Sequence, residues 1–180
     1  MSSAGPFKKL PSLEQAAQVF AVIAMIEYSW ALLRFFYRLP SWLFYSSVGE
    51  IGVFFSYMIV VNLLGSVLML AVFVFLAVLL PRAWFVERFV SRSASLTLLG
   101  MGYLIYVNRY FSSADSYPLA SYTRDLTVLV IMIVLALLID RVAFLRNLLE
   151  GFASRMVVFL YLLLPVSAIA LLVVVFRNLI

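Results

Sequence analysis

Between Ile51 and Leu80 the chain reads IGVFFSYMIVVNLLGSVLMLAVFVFLAVLL, without one charged side chain. That stretch decides the fold. A helix rises about 1.5 Å per residue and the hydrocarbon layer of a bilayer is about 30 Å thick, so about 20 apolar residues make one crossing. From Glu50 to Arg82 the axis of a helix would run about 48 Å, which predicts either strong tilt or a first turn, around Val48–Phe55, lying outside the lipid core.

Outward from this run, nearly charge-free stretches recur at Ala16–Leu33, Ser93–Asn108, Leu126–Ile139 and Met156–Phe176. Together they predict an all-α fold, a multi-pass transmembrane helical bundle forming one integral membrane domain over 1–180, with five spans near 16–38, 51–80, 93–110, 124–140 and 155–177. The third and fourth are short. Their flanking charges, Arg92, Arg109, Arg124, Asp140 and Arg141, fall at the ends, where arginine can snorkel to the headgroups.

Composition agrees with the spans. Of 180 residues, 66% are apolar and 12% charged, against roughly 45–50% and 25% in an ordinary soluble domain. A soluble sphere of this composition would face water with bare hydrocarbon. The chain has no Cys and no His, which removes imidazole- or thiolate-held haem, structural zinc, iron–sulfur clusters and His- or Cys-based catalysis from its own chemistry. No cofactor is expected. The net charge of +5 comes from Lys and Arg residues scattered between apolar runs, so they read as topology signals, and nucleic acid is not an expected partner.

Basic residues are retained on the cytoplasmic side of short loops. The N-terminal tail (Lys8, Lys9), the second loop (Arg82, Arg88, Arg92) and the fourth (Arg141, Arg146, Arg155) hold eight, while Arg34, Arg38, Arg109, Arg124 and Arg177 make five on the other side. This predicts a multi-pass protein of the cell membrane with its N-terminus cytoplasmic and its C-terminus outside. Lys8 and Lys9 before an apolar stretch, with Ser29-Trp30-Ala31 after it, loosely mimic a secretory leader; the stretch is read as a retained first span.

Two loops assigned to the cytoplasm have the spacing of amphipathic helices. In Asp140–Arg155, Leu145, Leu148, Leu149 and Phe152 make one apolar face, with Arg141, Arg146, Asn147, Glu150 and Arg155 on the polar one. In Arg82–Arg92, Phe85, Val86, Phe89 and Val90 oppose Arg82, Glu87, Arg88 and Arg92. Both are expected to lie flat in the interface, with their basic side chains toward anionic membrane lipid, and their likeness hints at a duplicated hairpin. On the outer side, Tyr103, Tyr106 and Tyr110 form a belt leading to the polar turn Ser112–Pro118, and Trp42, Phe44 and Tyr45 follow Pro40 at headgroup depth.

Ionisable or polar groups within a span are functional candidates because a bilayer-centre charge costs about 3 kcal/mol or more. Glu27 is the clearest, with Arg34 two turns on and near the same face. Three roles are open to it: a packing hydrogen bond, an intersubunit ion pair, or proton or cation coupling. Asn62 and Ser66, one turn apart beside Gly65, form a small polar stripe for helix packing, and Gly100 and Gly102 permit close approach. Pro165 lacks the N–H that would bond the Tyr161 carbonyl, which predicts a kink, with Ser167 satisfying part of the loss.

No set of polar groups converges at one depth as a catalytic site would need. The chain therefore reads as a non-catalytic accessory or structural subunit, packing against other integral membrane subunits in a larger complex. A second reading is a small homo-oligomeric channel or transporter using Glu27 and Asn62. In span count and outward C-terminus, the layout also resembles the five-span anchors that precede an extracellular hydrolase domain in enzymes related to lipoteichoic acid synthases. That resemblance implies the membrane anchor region of a longer extracytoplasmic enzyme.

Overall fold

A computed structural model describes residues 10–111 and 119–179. It contains five long helices: α1 (Leu13–Tyr45), α2 (Val48–Leu79), α3 (Phe89–Phe111), α4 (Leu119–Arg141) and α5 (Ala143–Leu179), with no strand among the described residues. Four of them, α1, α2, α4 over Tyr122–Arg141, and α5, are long and apolar enough to cross a membrane. The third expected span is less apolar because α3 opens with Ser91, Arg92, Ser93, Ser95 and Thr97, all of which but Arg92 are buried.

Short polar signals set the helix ends. Ser12 and Gln15 exchange hydrogen bonds of 3.0 and 3.2 Å to start α1, and Ser47 and Glu50 repeat the device at α2, at 2.8 and 3.3 Å. Each pair occupies N–H groups that the first turn would otherwise leave unbonded. Pro40 does not end the first span: α1 continues through it to Tyr45, and the stop is at Ser46, whose N–H bonds the Trp42 carbonyl. A mid-helix proline costs about 3 kcal/mol or more. Here Trp42 lies 5.4 Å from Phe35 and 5.5 Å from Phe54, and Phe35 lies 5.2 Å from Phe55, so aromatic packing on α2 holds the post-proline turns in line.

The two expected loop helices differ from the sequence reading. Residues 140–155 are not a separate segment: α4 runs to Arg141, the chain breaks at Val142 alone, and α5 carries on from Ala143 beyond Arg155. Nothing at Arg155 interrupts the backbone ladder, so the charge there marks no end. Residues 82–92 form two short 3-10 turns, Arg82–Trp84 and Val86–Arg88, and then the start of α3. Their apolar face is present, but Phe85, Val86, Phe89 and Val90 turn inward and pack with Val19, Val22, Phe73, Ala77 and Ala153.

Helices α1, α2 and α5 touch one another, α3 lies against α1 and α5, and α4 lies against α3 and α5. Helices α1 and α2 run in opposite directions: Val19 shares a cluster with Phe73, Glu27 meets Ser66 and Phe35 meets Phe55, so one numbering rises as the other falls. A second cluster joins Ala21, Ala24 and Tyr28 to Ile59, Val60, Leu160 and Ala170. Between them the two clusters bury Val19, Ala21, Val22, Ile23 and Ala24. At about 100° per residue that run covers every side of α1, and Ala21 and Ala24 let the neighbouring helices approach closely on the side of the second cluster.

Candidate functional site

Glu27 lies about 21 Å along α1 from Leu13, at mid-bundle. Its carboxylate accepts a 2.7 Å hydrogen bond from Ser66 Oγ, which also lies 2.8 Å from the Asn62 carbonyl. Gly65 makes room for this contact, since a Cβ there would stand 3.2 Å from Glu27 Oε2. Asn62 itself donates to the Met58 carbonyl of its own helix at 2.7 Å. Arg34 makes no ion pair with Glu27; it turns back over the Trp30 ring, 5.8 Å from its centroid. Of the expected constellation the structure therefore joins Glu27 to Ser66, and leaves the Asn62 side chain on its own helix and Arg34 apart.

One residue further on, Tyr28 meets Ser167 at 2.7 Å between hydroxyls, and Ser167 donates to the Leu163 carbonyl at 2.6 Å. Tyr28 is thus the donor of the pair. Ser167 bonds Leu163 rather than the Tyr161 carbonyl freed by Pro165, and α5 runs unbroken through that proline. The hydroxyl links α5 to α1. Tyr57 and Asn178 tie α2 to α5 in the same way, with Asn178 Nδ2 donating at 2.9 Å. Gly100 and Gly102 face open space, so no helix among the described residues uses the close approach they permit.

The strongest electrostatic feature joins residues 48 and 52 positions apart in the sequence. Asp140, at the end of α4, has a side chain with 0% exposure. Its Oδ2 accepts from Arg92 Nη2 at 2.8 Å, Arg92 Nε at 2.9 Å and Arg88 Nη1 at 3.1 Å, and Arg88 also reaches the Asp140 carbonyl at 3.1 Å. A buried carboxylate needs such compensation. Arg88 and Arg92 therefore turn to this acid instead of to lipid headgroups. Arg82 and Arg141 remain exposed, Arg146 is half-buried, and Arg155 borders a cleft with Asn147, Phe152 and Met156. At the far end of α4, Asp125 accepts a hydrogen bond from Tyr103 of α3 and pairs with Arg124 at 3.2 Å.

Toward the end of the bundle where α1 and α3 finish, a cleft of about 920 Å³ opens between them. Arg34, Arg38 and Arg109 line it, with Trp30, Tyr37 and Asn108. Leu33 and Ile105 complete its apolar walls. A second cleft, about 400 Å³, shares Trp30, Arg34 and Arg38 and reaches Phe54, Met58 and Asn62 of α2. Among the described residues none of these three arginines pairs with a carboxylate, and no group of three acidic side chains converges to hold a metal. The spacing of Arg34 and Arg38, one turn apart, could have signalled half of the cleft; the arrival of Arg109 required the packing of α3. Ser112–Pro118, the expected polar turn, lies outside the described residues. Compared with known proteins, the chain matches no family model, no curated protein and no solved structure.

Proposed function

We propose that the chain is a non-catalytic integral membrane subunit that works by packing beside other membrane proteins, with α4 as its docking helix. The observation that carries this reading is how α4 is held. Its described side chains bury Ala136 and Asp140 alone, while Leu126, Leu129, Val130, Ile133, Val134, Leu137 and Leu138 stay exposed. Polar ties at Asp125 and Asp140 fasten the helix at both ends and leave a long apolar face free for a neighbouring span. Within the bundle, the groups able to do chemistry are occupied with one another: Glu27 with Ser66, Tyr28 with Ser167, and Asp140 with two arginines.

The test is the mass of the intact particle extracted from native membranes in mild detergent. A fixed-stoichiometry complex with larger proteins is expected, and the pair of substitutions Val130→Trp and Val134→Trp should release this chain while leaving its own thermal midpoint within about 2 °C. A particle holding one chain and lipid alone ends the proposal. Ion flux in liposomes that Glu27→Gln abolishes, with assembly unchanged, would replace it by the transport reading.

A further inference from the structure

The arginine-lined cleft between α1 and α3 has no part in the packing role proposed above, and its chemistry points to a ligand. Three arginines line it together with Asn108, and no carboxylate among the described residues pairs with them. In this they differ from Arg88 and Arg92, which share Asp140. Guanidinium is suited to phosphate because its N–H groups donate in a planar fork that can engage two oxygens at once. The walls of the cleft are of the other kind: Trp30, Leu33 and Ile105 below, and Phe54 and Met58 in the adjoining cleft that shares Arg34 and Arg38.

Depth favours a lipid over a soluble anion. Apart from Glu27, the apolar part of α1 runs without a charge to Leu33, and from Arg34 to Tyr45 the helix extends about 17 Å further. Arg109 falls at the matching end of α3. The basic lining thus begins where the apolar run stops, the level at which a phosphate headgroup sits above its acyl chains. We propose that this cleft is a binding site for the phosphate group of an anionic membrane lipid, with Arg34, Arg38 and Arg109 as the phosphate ligands and Trp30, Leu33 and Ile105 against the chain-bearing part.

The experiment uses the full chain in detergent micelles, titrated calorimetrically with dioctanoyl phosphatidylglycerol, dioctanoylglycerol and inorganic phosphate. Saturable binding of the phosphatidylglycerol is expected, with inorganic phosphate at least a hundredfold weaker and dioctanoylglycerol showing no saturation. The combined variant R34Q/R38Q/R109Q should bind at least tenfold more weakly, and R38Q alone three- to tenfold, each with unchanged helical circular dichroism because the three side chains are exposed. R177Q removes the same charge from the same end of the bundle, outside the cleft, and should stay within twofold. Wild-type affinity in the combined variant, or an equal loss in R177Q, overturns the site. Inorganic phosphate binding as tightly as the lipid overturns the lipid source. Binding by D115N but not by wild type would mean that the chain's own carboxylate answers the arginines, and the proposal falls.

Discussion

Helices α1 and α4 are both long enough to cross a bilayer, yet they are held by opposite means. Around α1, Val19, Ala21, Val22 and Ile23 are completely buried, and its neighbours α2, α3 and α5 enclose it. Along α4, Ala136 and Asp140 are the buried side chains among those described, and the ties that join it to α3 and the turn before it are ionic or hydroxyl-to-carboxylate. In lipid, separating two apolar helices exposes no hydrocarbon to water, so close van der Waals packing or polar bonding must supply the attraction. The first solution needs close-packed apolar side chains on every face. The second needs a few groups, placed at the ends, and leaves the rest of the surface available.

The largest effect should come from Asp140→Ala. Removing Asp140 leaves the largely buried Arg92 uncompensated while the more exposed Arg88 can turn to its surroundings, a loss toward the lower end of about 3–5 kcal/mol, read as a lower unfolding midpoint in a denaturing-detergent titration. A loss below about 1 kcal/mol would mean that α4 has an apolar anchor after all, and the contrast with α1 would dissolve. Next is Ala24→Leu, which forces extra methylenes between α1, α2 and α5 and should cost about 1–3 kcal/mol in the same titration. Tolerance without loss would show slack in the packing around α1. The smallest is Glu27→Gln. The amide oxygen can still accept from Ser66, so the change should stay below about 1 kcal/mol; a larger loss would move α1 toward the polar regime of α4.

How far residues announce their roles depends on the distance over which those roles are settled. The charge-free runs suffice for the helices because crossing length is a local property of the chain. Ends are less legible. Pro40 and Arg155 carry strong local signals for stopping, but aromatic contacts from α2 carry the helix past the first and an uninterrupted backbone ladder past the second. Ser66 is readable as a packing group, whereas its partner Glu27 has Arg34 as the nearest charge on its own helix, and a single helix does not reveal which neighbour will arrive. Asp140 stands beside Arg141 in sequence and finds Arg88 and Arg92 across 52 and 48 residues. The apolar spacing of Phe85, Val86, Phe89 and Val90 is likewise readable, but spacing does not tell lipid from protein as the surface it covers.

The single-residue joint at Val142 has a mechanical consequence for α4. Any swing of α4 pivots there, with Asp140 about 3 Å from the fulcrum and Asp125 about 26 Å away. Angular stiffness grows with the square of the lever arm, so the contact with Tyr103 governs how far the rod can tilt, while the arginine grip near the hinge governs whether it detaches. Cohesion and rigidity are thereby assigned to opposite tips of one helix.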